Sequence, residues 1–413
     1  MSVAHPTSSP TVPALAAGFA ALEGYDLACY GVTVPSLLGD HAIGPSKAAA
    51  GTVGSLVAIG MLVGAALSAA LVRQFGSRGL LFGGAALFSV GMLICALAHA
   101  FWLFGAARLV VGVGLGIVLP TVTAYVADLS APERRNRNVG TMMSGYAGGA
   151  LLAPLLGAAL LPEASWRWIY VIGAVPAAVL IPLAVRMLPR SPISAPATSP
   201  NGRTEVLGLR PLLAPGVRVV TLLFWGISFC GLLLVFGIST WLPTIMQAGG
   251  YSLGSSLLQT AAMWVGAGVG MVAGGRVADA VGIKPVVAAA FLVGSASLLL
   301  TSTNPVTGVL FALMFLSGLG FIGSQALTNS FIVTRYPDPL RGRGIGWALA
   351  IGRLGAIAGP LMGAAVLSSQ LPVQWNFYLL AGPGVLGAAL TALVPVVRSR
   401  ADRVTASPEP DFV

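Results

Sequence analysis

Twelve long apolar runs, separated by short polar stretches, divide this chain of 413 residues. Each run offers close to the roughly 20 apolar residues that a helix needs to cross the hydrocarbon core of a bilayer. The predicted helices cover Pro13 to Leu38, Lys47 to Val72, Gly79 to Ala98, Phe101 to Val126, Val139 to Leu161, Trp166 to Leu188, Val217 to Met246, Ser255 to Val277, Pro285 to Thr303, Thr307 to Val333, Gly344 to Ser368 and Phe377 to Val397. The pattern predicts an all-α integral membrane protein with twelve transmembrane helices.

The second half of the sequence repeats the first without a gap. Tyr30 and Gly31 align with Phe236 and Gly237, and every further match keeps the same shift. The matches include glycines, prolines and basic loop residues: Gly64 with Gly270, Gly112 and Gly114 with Gly318 and Gly320, Arg135 and Arg137 with Arg341 and Arg343, and Pro154 and Gly157 with Pro360 and Gly363. Two parallel six-helix halves are the plan of a transporter that exposes a central site to each side of the membrane in turn.

The repeat predicts the organisation of the chain. We expect a cytoplasmic tail over residues 1–12, six-helix halves over 13–188 and 217–397, a cytoplasmic linker over 189–216, and a second cytoplasmic tail over 398–413. The linker contains the stretch SPISAPATSPNGR, whose proline and serine content is typical of flexible, solvated connections.

Charge is scarce and unevenly placed. Only 8% of the residues are charged and 56% are hydrophobic, whereas soluble domains are about a quarter charged. If the N-terminus is cytoplasmic, all but four of the 22 Lys and Arg residues lie in inner loops; Lys47 and Arg167 lie in outer loops, and Arg108 and Arg353 lie within helices. Since basic loops stay inside, we expect a multi-pass protein of the cell (inner or plasma) membrane. The same bias explains the net charge of +10 without nucleic acid as a partner.

Two acidic residues lie in the first predicted helix, Glu23 and Asp26. Ionisable groups inside a membrane are costly and mark functional sites by default. The spacing of three residues places both carboxylates on one helix face, and two close carboxylates in a low dielectric resist joint ionisation. We predict that they couple transport to protons, together with Arg108 in the fourth predicted helix. The alternative is a buried ion pair with an arginine that only holds helices together.

Arg353, in the eleventh predicted helix, is the leading candidate for binding a substrate. A guanidinium grips a carboxylate with two parallel hydrogen bonds, and the repeat does not require the residue, because its counterpart is Ala147. The alternative is a salt bridge to Asp26 or Glu23. Weaker candidates are aromatic or amide side chains of the predicted helices: Tyr25, Tyr30, Phe236, Trp241, Gln325 and Asn329.

The sequence shows no constellation for catalysis. It contains no serine–histidine–acid set, no phosphate-binding loop, no dinucleotide fingerprint and no metal-binding cysteine spacing. We therefore expect no enzyme activity, metal or cofactor, and we expect an ion gradient, that of protons, to supply the energy.

The loop after the eighth predicted helix reads GRVADAVGIK. Its Gly275, Asp279, Gly282 and Lys284 match the G-x-x-x-D-x-x-G-x-[RK] signature of the major facilitator superfamily, which the chain resembles over nearly its whole length. RLVVGVGLG, which begins at Arg108, is similar to the fourth-helix motif of that superfamily. The resemblance implies the major facilitator fold, a gating role for the signature loops, and function as a monomer.

Within that superfamily, EGYDLACYG resembles the D-G-x-D pattern of the aromatic acid:proton symporters, and of their benzoate transporters in particular. STWLP and GRLGAIAGP, which begin at Ser239 and Gly352, are also similar to that family. The resemblance implies that Glu23 and Asp26 take the places of the two acids of proton-coupled uptake. It also matches Arg108 and Arg353 with arginines of that family.

The first-half loop, ALVRQFGSR, departs from the signature. Gly76 and Arg78 fit, but Arg73 replaces the signature Asp and Ala69 replaces its first Gly. We hypothesise that Arg73 pairs instead with Asp128, in which case reversing both charges restores what a single reversal loses.

These observations predict proton-coupled import of a small aromatic carboxylate, of the benzoate or hydroxybenzoate type, by alternating access. Three alternatives stay open: a drug or metabolite exporter of the same fold, an importer of a non-aromatic organic acid or sugar, and a non-transporting membrane sensor. Exporters often carry G-x-x-x-G-P-x-x-G-G in their fifth helix. The fifth predicted helix of this chain contains GYAGGALLAPLLGAAL, which lacks that arrangement and weighs against export.

Overall fold

A computed structural model describes residues 11–188, 208–369 and 371–395, and within these ranges the chain is helical with no strand. The twelve α-helices are α1 (Thr11–Leu38), α2 (Lys47–Leu97), α3 (Phe101–Leu129), α4 (Arg135–Leu160), α5 (Arg167–Met187), α6 (Arg218–Ala248), α7 (Leu253–Val281), α8 (Ile283–Thr301), α9 (Thr307–Ser317), α10 (Gly323–Arg335), α11 (Arg341–Ser368) and α12 (Gln374–Leu393). Residues 189–207 of the predicted linker over 189–216 and the C-terminal tail over 398–413 lie outside the described residues, as do residues 1–10 of the N-terminal tail.

Most helix ends lie within four residues of the predicted bounds, and α1 is described from Thr11, two residues before the predicted start at Pro13. Two predictions differ in how the helices are divided. The second and third predicted helices form the single element α2, which bends at Gly76. The tenth predicted helix is α9 and α10 joined by a π-helical turn over Gly318–Ile322. Among the described residues, ten helices are long and apolar enough to cross a membrane; α2 has 51 residues, enough for two crossings.

The two predicted halves turn in the same way at the repeated signature loops. Gly76 has a φ of 67° and Gly282 a φ of 91°, values that favour glycine because other residues meet a steric penalty there. Two residues further on, the side chain of Arg78 donates to the carbonyl of Val185, and Lys284 Nζ donates to the carbonyl of Val394 at 2.7 Å. Each basic side chain thus ties its loop to the end of the last helix of its half.

Helices of different halves meet along three lines, α1 with α6, α2 with α11, and α4 with α7. We call the end where α1 ends and α2 begins the sealed end, because the halves are joined there by hydrogen bonds between α2 and α11. Lys47 Nζ donates to the carbonyl of Leu367 at 2.7 Å, and Ser55 Oγ donates to the carbonyl of Ile357 at 2.6 Å. The opposite end, where α3 ends and α4 begins, is called the open end.

The loop after α1 is anchored at the sealed end by Asp40. Trp166 Nε1 donates to Asp40 Oδ2 at 2.8 Å, and Arg167 Nη1 lies 3.4 Å from the same oxygen. The hydrogen bond from Trp166 holds the pKa of Asp40 below its ordinary value, and the backbone N–H groups of Ala42 and Ile43 and the Arg167 charge act in the same direction. The anchor therefore stabilises the fold above the ordinary carboxyl pKa and weakens as pH falls through the lowered value.

We expect Gly31→Ala to weaken closure at the sealed end. A methyl group at Gly31 would lie 1.8 Å from the carbonyl oxygen of Ser239 in α6, so α1 and α6 would have to move apart. Overpacking of this kind costs about 1–3 kcal/mol. The expected result is that the folded variant takes up the predicted aromatic carboxylate several-fold more slowly than the unmodified protein, as measured in proteoliposomes. Gly382→Ala, where a methyl group meets nothing within 4 Å, is the control, and equal rates for both variants would contradict the prediction.

Candidate functional site

A cavity of about 640 Å³ lies between the two halves, a size typical of small-molecule sites. Its wall is mainly apolar and is built by α1, α3, α4, α6, α7, α10 and α11 together with the π turn. The wall residues Gly140, Val272 and Leu349 are exposed, and they lie on the side of the open end. The cavity therefore opens at that end and is closed at the sealed end.

Five predicted site residues lie on the wall of this cavity: Glu23, Phe236, Gln325, Asn329 and Arg353. They come from four different helices, and α11 supplies Arg353 while α1 supplies Glu23 from the other half. These five predicted residues thus bring one carboxyl group, one guanidinium group, one aromatic ring and two amides to the wall of a single, mainly apolar cavity.

Arg353 has no carboxylate partner within salt-bridge distance among the described residues. Its Nη1 lies 2.8 Å from the sulfur of Met61 in α2, and a thioether is only a weak acceptor. The salt bridge to Asp26 or Glu23, which the sequence left open, is not formed in this structure. A partly exposed guanidinium without an anion is suited to binding one.

Glu23 is 6% exposed, and its Oε2 has no hydrogen-bond partner among the described residues. A buried carboxylate without a partner is far costlier when charged than when protonated. The side chain therefore has the setting of a group that takes up and releases a proton at the cavity wall.

Asp26 lies apart from this cavity and pairs with Arg108 of α3. Both guanidinium nitrogens Nη1 and Nη2 donate to the carboxylate, the second at 3.2 Å, and the two side chains are 2% and 1% exposed. The guanidinium also lies 5.1 Å from the ring centre of Tyr30. The two predicted acids therefore have different surroundings in this conformation, because Asp26 packs against α3 while Glu23 lines the cavity.

Three predicted substrate-binding residues lie away from the cavity wall. The hydroxyl of Tyr25 donates to the carbonyl of Ile169 at 2.7 Å, and the hydroxyl of Tyr30 donates to the carbonyl of Ala50. Trp241 Nε1 donates to the carbonyl of Pro360 at 2.8 Å. These side chains use their polar atoms to join helices, and in this structure they do not line the cavity.

Sequence reasoning missed the contribution of α4. Met143, Ser144, Tyr146 and Ala147 all line the cavity. The available signal was Ala147, the repeat counterpart of Arg353: because repeated helices take equivalent places in the two halves, the helix opposite α11 also faces the centre. Tyr146 therefore supplies an aromatic ring to the cavity wall that the sequence analysis did not place there.

The predicted gating residues lie at the open end, outside the cavity. Arg73 and Asp128 are both exposed, and none of the ion pairs among the described residues joins them. The hypothesis that they form a pair is thus not met in this conformation, where solvent is available to both side chains. In the second-half signature, Asp279 is also exposed, and a side chain at Gly275 would meet nothing within 4 Å.

Comparisons with known proteins agree with this architecture. The sequence profile of the Major Facilitator Superfamily matches residues 16–274 and 254–411. The chain is 34% identical to the gentisate transporter of Corynebacterium glutamicum, over 91% of this chain and 85% of that one. It is 30% identical to the benzoate transport protein of Acinetobacter baylyi, over 94% and 88%. The crystal structure of a D-xylose–proton symporter aligns with a TM-score of 0.78 at 21% identity, covering 93% of this chain and 97% of that one, which supports the fold.

Proposed function

We propose that this chain, which belongs to the Major Facilitator Superfamily, imports a small aromatic carboxylate, such as benzoate or a hydroxybenzoate, together with protons. The members it resembles are transporters rather than enzymes, and the two relatives described above are named for aromatic acids. The observation that carries the proposal is Arg353, a guanidinium without an anion in the wall of an apolar cavity between the halves.

The substrate's two parts match the two kinds of surface in the cavity. The carboxylate is to pair with Arg353, through the forked geometry that guanidinium groups offer to carboxylates. The aromatic ring is to pack against Phe236, Tyr146 and the aliphatic side chains of the wall. Burial of such a ring against apolar side chains supplies the favourable hydrophobic term.

Glu23 is our candidate for the proton site, and the proton gradient is our candidate for the energy source. The buried pair of Asp26 and Arg108 balances its own charge, whereas Glu23 has an oxygen with no partner. A proton on Glu23 removes its repulsion of the incoming anion and lowers the cost of moving the site between the two sides of the membrane. Coupling is needed because an anion enters against an interior-negative potential.

We further propose that the open end is cytoplasmic. Exposed arginines gather there, at the beginnings of α4 and α11, including Arg134, Arg135, Arg137 and Arg341. Basic loops stay on the cytoplasmic side, so this structure is an inward-facing state with both termini inside, and the membrane is the cell (inner or plasma) membrane. The residues that line the cavity all belong to one copy of the chain, which fits function as a monomer.

The test is uptake of labelled benzoate into proteoliposomes with an imposed inward proton gradient. We expect Glu23→Gln, which mimics the protonated side chain, to lose accumulation driven by the gradient. Exchange of internal for external benzoate is expected to persist, because this exchange requires binding and movement but no net proton transfer. Glu163→Gln, at an exposed loop acid, is the matched control.

Two outcomes would count against the proposal. Accumulation by Glu23→Gln equal to that of the unmodified protein would remove Glu23 as the proton site. The absence of uptake and exchange of any aromatic acid by folded, unmodified protein would remove the substrate class.

A further inference from the structure

Two amide side chains on the cavity wall have buried polar atoms with no partner. Gln325 Nε2 and Asn329 Oδ1 make no hydrogen bond within the described part of the chain. Both residues are in α10, four positions apart, so they lie on one helix face. Buried polar groups in folded proteins are nearly always paired, and each exception requires an explanation.

The packing around Gln325 keeps its amide in the cavity. Its Oε1 lies against Gly231 of α6, where a methyl group would approach that oxygen to 2.5 Å. Gly231 therefore leaves the space that the amide of Gln325 occupies beside the cavity. The arrangement is a built feature of the α6–α10 contact.

The same feature is absent from the equivalent helix of the first half. By the repeat, Leu119 and Thr123 of α3 stand where Gln325 and Asn329 stand in α10. Leu119 is apolar, and the hydroxyl of Thr123 donates to the carbonyl of Leu119 at 2.7 Å. Amide side chains with unpartnered polar atoms at these two positions of the cavity wall are therefore a property of the second half alone.

The helix changes geometry immediately before these residues. α3 is a continuous helix over Phe101–Leu129, whereas its repeat is interrupted by the π turn over Gly318–Ile322. A π turn closes its hydrogen bonds one residue later than an α turn, and such turns occur frequently at functional sites. The wider turn rotates the residues that follow it, and those residues include Gln325 and Asn329.

An unsubstituted benzoate would leave both amides without partners. Its one polar group, the carboxylate, is assigned to Arg353. A ring hydroxyl both donates and accepts hydrogen bonds, and a side-chain amide likewise offers a donor and an acceptor, so a hydroxyl complements the amides of Gln325 and Asn329. We propose that Gln325 and Asn329 recognise a ring hydroxyl, so that the preferred substrate is a hydroxylated aromatic acid; this inference rests on the proposed function.

The test measures exchange of labelled benzoate in proteoliposomes and compares how strongly three unlabelled acids compete with it. The three acids are benzoate, 3-hydroxybenzoate and 2,5-dihydroxybenzoate. Of the two hydroxylated acids, we expect the one that competes better to have an apparent affinity about tenfold higher than that of benzoate. The difference comes from one or two hydrogen bonds made in a buried site. Asn329→Leu and Gln325→Met, which keep the side-chain size, are expected to reduce that preference to about twofold or less, with benzoate competition retained. Ser330→Ala, an exposed position of the same helix, is expected to keep it.

The readout is a ratio between substrates, so a variant that merely folds less well does not change it. Retained benzoate competition shows in the same experiment that the variants are folded. Equal affinity of the unmodified protein for all three acids, or a preference that survives both substitutions, would overturn this inference while leaving the proposed function intact. Failure of all three acids to compete would instead overturn the proposed function.

Discussion

Replacing Arg353 by alanine is expected to abolish uptake of the aromatic acid. The guanidinium is the cation of the cavity wall that lacks an anion within the described residues, and its neighbour Met61 offers only a thioether sulfur. Removing one partner of a buried, hydrogen-bonded charge pair costs about 2–5 kcal/mol. The loss is expected to be larger than for any aromatic wall residue, because without the arginine the carboxylate enters an apolar cavity that also contains Glu23.

Binding and transport of labelled benzoate in proteoliposomes check this prediction. Arg353→Lys is expected to recover part of the binding, because it keeps the charge but loses the two parallel hydrogen bonds of the guanidinium. Arg134→Ala, an exposed arginine at the open end, controls for the loss of one positive charge. Unchanged affinity in Arg353→Ala would show that the carboxylate binds elsewhere.

Breaking the pair of Asp26 and Arg108 is expected to destabilise the fold strongly. Each side chain is at most 2% exposed and each is the other's counter-ion. Asp26→Asn would leave the Arg108 charge buried and unpaired, and removal of one member of a buried ion pair costs about 3–5 kcal/mol. We expect a large fall in melting temperature in detergent, or little folded protein.

The double variant Asp26→Leu with Arg108→Met separates a structural pair from a coupling device. Replacing both charges by apolar side chains of similar size is often neutral or stabilising, so stability is expected to return. If the double variant is stable and still accumulates substrate under a proton gradient, the pair serves the fold. If Asp26→Asn melts like the unmodified protein and only loses accumulation, the pair takes part in proton coupling and the proposal that Glu23 is the proton site is contradicted.

The arginine side chains illustrate the limit of reasoning from spacing alone. Sequence position placed Arg108 and Arg353 inside the membrane and made both candidates for either acid. Only packing distinguished them, because α3 brings Arg108 against Asp26 while α11 turns Arg353 into the cavity. Helical periodicity gives the face on which a residue lies but not the helix that covers this face.

For the aromatic and gating residues too, helix packing rather than position in the sequence decided the surroundings of each side chain. Phe236 of α6 lines the cavity. Trp241 of the same helix donates to a carbonyl of α11, and Tyr25 of α1 donates to a carbonyl of α5. Arg73 and Asp128 were matched by charge, yet the structure leaves both exposed to solvent. Opposite charge predicts attraction, but the conformational state of the protein decides which ends of the helices meet.

What the sequence determined by itself is the class of the protein. The lengths of the apolar runs specify membrane-spanning helices, because backbone groups in hydrocarbon must be paired within the segment. The repeat indicated two six-helix halves, and the signature loop GRVADAVGIK carried the resemblance to the family. Tertiary structure alone decided that Asp26 is paired with Arg108 while Oε2 of Glu23 has no hydrogen bond. It also decided that the residues after the π turn, Gln325 and Asn329, lie on the cavity wall. These outcomes depend on which helices touch, and such contacts join residues far apart in the chain.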